Sequence, residues 1–390
     1  MENRMRIAID LTATPKSKTG IGRYLLGLLE GLQKMDPDNE YFLFVHDDDM
    51  DGFGITNDRF HIVPVHSRIL RRTWIRILWE QFVFPFRLRK NRIDILHCPN
   101  FTMPYGARIF CRGLKIIGTF HDMTYFFLPE FHVGWKREMF KTYIHLTAAG
   151  ADKILTISEN SKKDISKYCS PRNTNISVTC MGVDPRFFSA DTPSEELLSK
   201  YGIDAPYIFY VGTLEPRKNI AGLITAYRDL PMEVRESCKL VICGKKGWLY
   251  DEIYERMKSD EALLSQVIFP GYVEDSDLPS LMHGAKAVAY VSFYEGFGIP
   301  VIEGMASGVA TITSYGSSLE EVAGDGALLT DPKNPAGITE ALAWALSDEN
   351  REEREALIAR GILQAATYTW DRCAKETIAA YQETKGGAVH

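Results

Sequence analysis

The sequence predicts an α/β protein of two successive domains, each built on a parallel sheet wrapped by helices. Three observations carry this expectation. Short runs rich in β-branched and aromatic residues alternate with longer amphipathic stretches, which is the pattern of βαβ units and so of parallel pairing. The chain has 390 residues, more than a single hydrophobic core usually organises. Its two halves repeat one α/β plan, with no shorter internal period.

Taken in order, the runs at 6–10, 41–45, 61–65, 93–97, 115–120 and 153–157 are expected to be strands of the first half. Those at 207–211, 239–243, 267–269, 287–291 and 309–313 repeat the theme in the second. Between them the chain turns polar and turn-rich at 170–174 and 184–194. This places an N-terminal domain at 1–185 and a C-terminal domain at 186–368. The last pattern, about 370–383, is helical and follows the completed second domain, so the segment 369–390 is expected to cross back to the first.

Composition narrows the function classes. The net charge of −6 provides no overall field favouring nucleic acid. No apolar run approaches the ~20 residues that span a bilayer. The first ten residues read as the approach to a strand and not as a signal peptide, because charges interrupt them every few positions. The seven cysteines are scattered, odd in number and never spaced C-x-x-C. That pattern suits reduced thiols in a cytoplasm and argues against a disulfide frame or zinc site.

The strongest chemical signal is SFYEGFGIPVIEGMASG at 292–308. Gly296 and Gly298 let backbone approach a ligand closely, and Pro300 suits the first turn of a helix. The free N–H groups of that turn would face a phosphate or a sugar oxygen. Glu295 precedes the glycines, and the Glu303 carboxylate, further along, can accept two hydrogen bonds from a ribose diol. A plainer reading, two solvated glutamates beside a glycine loop, is weakened by the glycine context. The second signal is GTLEPRKNI at 212–220, directly after an apolar run. There Arg217 offers a bidentate fork and Lys218 a compact charge, together suited to a diphosphate. On this segment alone, an ordinary basic loop is an equal reading.

In this order the motifs resemble those of the retaining glycosyltransferase family 4. TGIGRY (19–24), FHDMTYFFLPEFH (120–132), ISENSKKDI (157–165), MGVDPRFF (181–188), FPGYVEDSDLPSLMHGAKAVAYVS (269–292) and SSLEEVAGDGALLTDP (317–332) extend the similarity over nearly the whole chain. The resemblance implies the GT-B fold: two Rossmann-like domains with parallel sheets facing a central cleft. It implies that Arg217 and Lys218 neutralise a donor diphosphate. Glu295, with the backbone of Phe297 and Gly298 beside Gly296, would hold the donor sugar, and Glu303 the ribose. The Tyr272–Val273 backbone would touch the base, and His121 would sit by the reacting sugar. Gly20 and Gly22 would let backbone approach donor phosphates or acceptor. Three positions depart from the family pattern: Thr213 stands where some members carry Arg, Met181 where many carry Asn, and Thr19-Gly20 where a glycine pair is usual.

Competing constellations are weaker. TGIGRYL has G-x-G, but it lies about ten residues beyond the first apolar run and has Leu25 at the third glycine position of a dinucleotide fingerprint. The acidic run HDDDMD (46–51) could attract a divalent cation, but like-charge runs are usually solvated. With Arg217 and Lys218 available, no metal is required, and no cofactor is expected beyond the donor itself. His121 follows an apolar run, where a capping role competes with a site role; His97 is equally placed to line an acceptor cleft.

The resemblance implies retention, and no carboxylate is evidently placed as a covalent nucleophile. Attack is therefore expected on the leaving-group face, with a donor phosphate taking the acceptor proton. The overall pattern resembles mannosyltransferases of bacterial surface-polysaccharide assembly, which makes GDP-mannose the first choice of donor and leaves a UDP-sugar open. A non-catalytic nucleotide-sugar scaffold and an NAD-dependent oxidoreductase are the alternatives. The expected setting is cytoplasmic, peripheral to the inner face of the membrane, with a glycan or lipid-linked acceptor.

Membrane contact rests on the segment 68–92. It holds Arg68, Arg71, Arg72, Arg76, Arg87, Arg89, Lys90 and Arg92 against one acid, Glu80, with Trp74, Trp79, Phe82, Phe84 and Phe86 interleaved. Helical spacing puts Arg68, Arg72 and Arg76 on one face and Leu70, Trp74, Ile77 and Leu78 broadly opposite. Basic residues beside aromatics suit an anionic lipid surface. The competing reading is an ordinary segment whose apolar side packs on the sheet. RNA binding has no other support, and no nucleic acid partner is expected.

Overall fold

The computed structural model describes residues 4–14, 16, 20–131, 134–169, 175–247 and 261–386. Thr19, His132 and the turn-rich stretch 170–174 lie outside the described residues, as does the side chain of Arg68. The chain forms two compact units, Met1–Gly182 with Thr369–His390, and Val183–Tyr368. The division thus falls at Gly182, slightly ahead of the expected residue 185, and the segment after Tyr368 belongs to the first unit.

The first unit holds seven strands: β1 (Arg6–Asp10), β2 (Glu40–His46), β3 (Phe60–Val65), β4 (Ile95–Cys98), β5 (Lys115–Phe120), β6 (Lys153–Thr156) and β7 (Ile176–Val178). Their order is β3-β2-β1-β4-β5-β6-β7, and every pairing is parallel. The second holds β8 (Tyr207–Val211), β9 (Lys239–Cys243), β10 (Val267–Gly271), β11 (Ala287–Tyr290), β12 (Thr311–Ser314) and β13 (Leu328–Thr330), in the parallel order β10-β9-β8-β11-β12-β13. Strand order reverses beside β1 and β8, so each sheet has a switch point where loops diverge and a ligand can enter.

Helices cover both sheet faces, so central strands are buried at successive positions, as Tyr41 to Val45 of β2 show. The sequence pattern missed β7 and β13, which have three residues each and too little length for periodicity. It also began β4 two residues early. Arg92 takes a left-handed conformation (φ 50°), and Ile93 N–H closes the preceding helix on Leu88 O at 3.2 Å, so Ile93 is spent on the helix end.

The helix Trp370–Gly386 packs on the helix Ile21–Met35. A Cβ added at Gly27 would stand 2.1 Å from the Trp370 ring, and one at Gly182 would stand 2.3 Å from Trp370 N. Bare backbone at these positions makes the slot in which Trp370 lies. Further along, the Tyr381 hydroxyl meets His97 Nδ1 at 2.7 Å, while Thr119 Oγ1 meets Nε2 at 2.7 Å. His97 is completely buried, and burial lowers it to about 3, so it is neutral. The expectation that it lines a cleft is corrected: both ring nitrogens are spent joining β4, β5 and the crossing helix.

The basic segment is corrected as well. Along the helix Thr73–Phe82, Arg76 turns inward and its Nε lies 3.5 Å from the buried Glu80 Oε1. Arg71 pairs with Asp48 at 2.7 Å. Trp74, Leu78 and Phe82, spaced by four, are instead exposed, and Phe86 of the helix Phe84–Lys90 continues their stripe. The aromatic face thus points to solvent while an arginine packs inward.

Arg76 turns inward because Glu80 and Asp10 lie buried beneath it. Asp10, the last residue of β1, accepts from Thr12 N–H at 3.0 Å and Thr12 Oγ1 at 2.7 Å. Burial and then the nearby Asp10 push the Glu80 carboxyl up to about 8. The folded chain therefore keeps a proton that the unfolded chain releases above about pH 4.5. Stability should fall as pH rises from about 4.5 to about 8 and level off beyond. Glu80→Gln is expected to flatten that slope and raise the melting temperature near pH 8 by about 2–4 °C. Thermal melts across this range check it, and an unchanged slope in the variant would place the dependence elsewhere.

Candidate functional site

In the second unit, two loops leave adjacent strand ends and are stitched together. After β8, Gly212 must be bare, because a Cβ there would stand 2.8 Å from Tyr210 Oη. The turn Pro216–Lys218 ends at Asn219, which is left-handed (φ 56°) and opens the helix Ile220–Arg228. Asn219 Nδ2 donates to Val291 O at 3.1 Å and Pro332 O at 2.7 Å, and Phe293 N–H donates to Arg217 O at 3.0 Å. These bonds hold the basic turn against the chain leaving β11.

The charges meet there. Arg217 Nη1 donates to Glu295 Oε2 at 2.8 Å and Tyr294 O at 2.7 Å, while Nη2 donates to Glu215 Oε1 at 2.8 Å. Lys218 Nζ donates to Glu295 Oε1 at 2.5 Å and Tyr290 Oη at 2.7 Å. Tyr290 in turn donates to Glu295 Oε1 at 3.0 Å. Burial alone would raise the Glu295 carboxyl, but the charges of Arg217 and Lys218 outweigh it and hold it at about 2. Burial, then Arg217, lowers Lys218, against the pull of Glu295. Two cations and two carboxylates thus form a compact, largely buried group. This excludes the ordinary solvated loop as a description of Arg217 and Lys218.

Beyond Glu295, Gly298 takes φ 106° and caps the helix Ile299–Ala306, with Pro300 in its first turn. A side chain at Gly298 would meet Leu319 at 2.3 Å. Ser318 Oγ donates to Glu295 O at 2.6 Å, which fixes the loop that carries Gly296 and Phe297. Pro300 has no N–H and Val301 N–H closes on Gly298 O at 2.9 Å, while the helix dipole favours an anion at this end. Glu303 lies on the same helix and is buried, not surface-exposed. Gly304 lets this helix close on the sheet, since a Cβ would stand 2.8 Å from Thr311 Oγ1. At the end of β10, Tyr272 is exposed with Lys245 Nζ 4.5 Å over its ring, and Val273 is buried.

The first unit carries the remaining candidates. Gly20 (φ 54°) caps the helix Ile21–Met35, where its conformation suits glycine, and Gly22 is buried in that helix. His121 follows β5, and its Nε2 lies 2.9 Å from Pro99 O. A carbonyl only accepts, so Nε2 carries the proton and Nδ1 keeps its lone pair. Burial lowers the imidazole, which favours this neutral form. Asp122 accepts from Thr124 N–H and Oγ1 at 3.1 and 2.7 Å, a local cap. In the acidic run Asp48 pairs with Arg71, and among the described residues no cluster of His, Cys, Asp or Glu could hold a metal.

The second unit therefore brings Arg217, Lys218 and Glu295 into direct contact and sets Gly296, Phe297, Gly298 and Glu303 on the segment that follows. Sequence reasoning missed Glu215, Asn219, Tyr290 and Ser318. Glu215 and Asn219 flank the basic pair and were open to notice. Tyr290 read as one more apolar strand residue.

Residues 18–187 match the model of Glycosyltransferase Family 4, and residues 194–364 that of Glycosyl transferases group 1. The chain is 34% identical over 375 residues to O-antigen chain mannosyltransferase B of Escherichia coli, covering 93% of this chain and 96% of that protein. It is 27% identical over 372 residues to O-antigen chain mannosyltransferase RfbU of Salmonella typhimurium, covering 93% and 96%. Sucrose-phosphate synthase from Thermosynechococcus elongatus has the same fold (TM-score 0.76, 16% identity, 99% and 100% coverage). So does Anabaena HepE, solved with UDP and glucose (TM-score 0.76, 15% identity, 97% and 100% coverage). With these likenesses beside a cation pair, a buried glutamate and a glycine-capped helix at the strand ends, the chain belongs to glycosyltransferase family 4 and has the GT-B fold.

Proposed function

We propose that this enzyme transfers mannose from GDP-mannose to a glycan or lipid-linked acceptor, with retention of configuration, in surface-polysaccharide assembly. The carrying observation is the group formed by Arg217, Lys218 and Glu295 beside the Gly298 helix start. Support for the sugar comes from the O-antigen mannosyltransferases, which the chain matches over nearly their full length.

In this reading Arg217, Lys218 and the helix N-terminus stabilise charge building on the departing diphosphate. A preorganised donor of this kind contributes about 2–4 kcal/mol. Glu295 is held ionised, so it only accepts, and it takes hydrogen bonds from sugar hydroxyls. Its two cations also make it a poor covalent nucleophile, which favours attack on the leaving-group face with a donor phosphate oxygen receiving the acceptor proton. His121 offers the Nδ1 lone pair to a sugar hydroxyl. Glu303 binds the ribose, the Tyr272–Val273 backbone the base, and Gly20 and Gly22 give backbone access to phosphate or acceptor. Two fixed cations take the part that a metal plays elsewhere.

Arg217→Ala and Lys218→Ala are each expected to lower turnover about 10²–10³-fold, with wild-type activity persisting in excess EDTA. Near-normal turnover in both folded variants would remove their assigned role, and loss in EDTA restored by magnesium or manganese would bring a metal into the reaction. Calorimetry separates the glutamates: Glu303→Ala should weaken binding of free GDP, whereas Glu295→Ala should act mainly on GDP-mannose. The reverse pattern would exchange the two assignments.

The stripe Trp74, Leu78, Phe82 and Phe86 supports a second element, contact with an anionic membrane. These side chains are exposed, as are Arg72, Arg89 and Lys90 near them in the sequence. Sedimentation with phosphatidylglycerol vesicles should be salt-sensitive and should fall in a Trp74→Ser, Phe82→Ser variant. Equal recovery of wild type and variant in the pellet would favour a soluble acceptor.

A further inference from the structure

We propose that Tyr290 is a positioning residue that aims the Lys218 ammonium at the donor diphosphate. The inference rests on the reading of Lys218 given above. An ammonium has three N–H donors. Two of those on Lys218 are committed, to Glu295 Oε1 at 2.5 Å and to Tyr290 Oη at 2.7 Å. Nitrogen is tetrahedral, so two committed bonds fix the direction of the third N–H, which is left for a phosphate oxygen.

The hydroxyl suits this task. Burial and then Glu295 push its pKa well above the usual tyrosine range, so it stays neutral. It accepts from Lys218 while donating its own proton to Glu295, and it adds no negative charge to cancel the cation. Nor can the ring swing away. Tyr290 ends β11, its carbonyl accepts from Thr313 Oγ1 at 2.9 Å, and its ring stacks on Tyr210 of β8 at 5.8 Å and 15°. Lys218 Nζ also lies 5.3 Å from the Tyr290 ring centre. Without the hydroxyl, Nζ keeps a single anchor and rotates about it. The charged and titratable groups around the ammonium are Arg217, Glu215, Glu295, Tyr290 and Tyr210. Only the Tyr290 hydroxyl is removed by phenylalanine.

The experiment is calorimetry with GDP and UDP as probes, from about pH 7 to about pH 10, on wild type, Tyr290→Phe, Tyr210→Phe and Lys218→Ala. Tyr290→Phe should bind both nucleotides about 10-fold more weakly, in line with loss of a hydrogen bond to a charged group. Its alkaline loss of affinity should begin about one pH unit below that of wild type, because the ammonium has lost an acceptor. Tyr210 carries a neighbouring buried hydroxyl that has no hydrogen-bond partner among the described residues, and Tyr210→Phe should behave as wild type. Wild-type affinity and an unmoved alkaline limb in Tyr290→Phe, beside weak binding by Lys218→Ala, would overturn the role of Tyr290 alone. The same loss in Tyr210→Phe would assign the effect to packing and overturn it too. Undiminished binding by Lys218→Ala would overturn the diphosphate reading itself.

Discussion

Glu295 is a carboxylate taken almost completely out of water, and the second unit is organised around keeping it charged. An isolated buried carboxylate would bind a proton. Here Arg217, Lys218 and Tyr290 supply three hydrogen bonds, and Ser318 holds its backbone. The cations reach it only because Asn219 ties their turn to the end of β11. Asn219 makes that tie from a left-handed conformation at the helix start. Glu215 completes the neutralisation on the far side of Arg217. The group of two cations and two carboxylates is therefore neutral overall.

The same economy explains the helix that follows. Gly298 turns the chain sharply away from Glu295, and Gly304 lets the helix close on β11 and β12. The helix start then faces the loop and its buried flank carries Glu303. Positive and negative groups and a second carboxylate are thus gathered on two loops, anchored on the neighbouring strands β8 and β11. A rigid base of this kind lowers the reorganisation needed when charge moves onto a leaving group.

In the first unit, ionisable groups are buried for different reasons. His97 is neutral and spends both nitrogens on the crossing helix and β5. Lys153, also buried, donates to Asn175 and Glu383 and so fastens β6 to the end of that helix. Asp10 and Glu80 are crowded together near Arg76, which pairs with Glu80 only loosely, at 3.5 Å. Since an unfavourable pair of acids adds nothing to folding, its cost is borne by the Trp370 slot and the continuous apolar strands around it.

The sequence by itself determined the two parallel sheets, the glycines that permit close backbone approach, and the identities of Arg217, Lys218, Glu295 and Glu303. These are local properties: alternation reports a strand, and a glycine, proline or charge acts where it stands. Only the tertiary structure decided the partnerships. Arg217 and Glu295 are separated by 78 positions, Lys218 and Tyr290 by 72, and His97 and Tyr381 by 284. Helical spacing likewise divided the segment 73–82 into faces but did not say which face the buried acids would draw inward. Periodicity orders side chains around an element, whereas burial depends on what the neighbouring elements bring to it. That is why Arg76 lies inside, Trp74 lies outside, and the hydroxyl of Tyr290, hidden within an apolar strand, stands at the centre of the site.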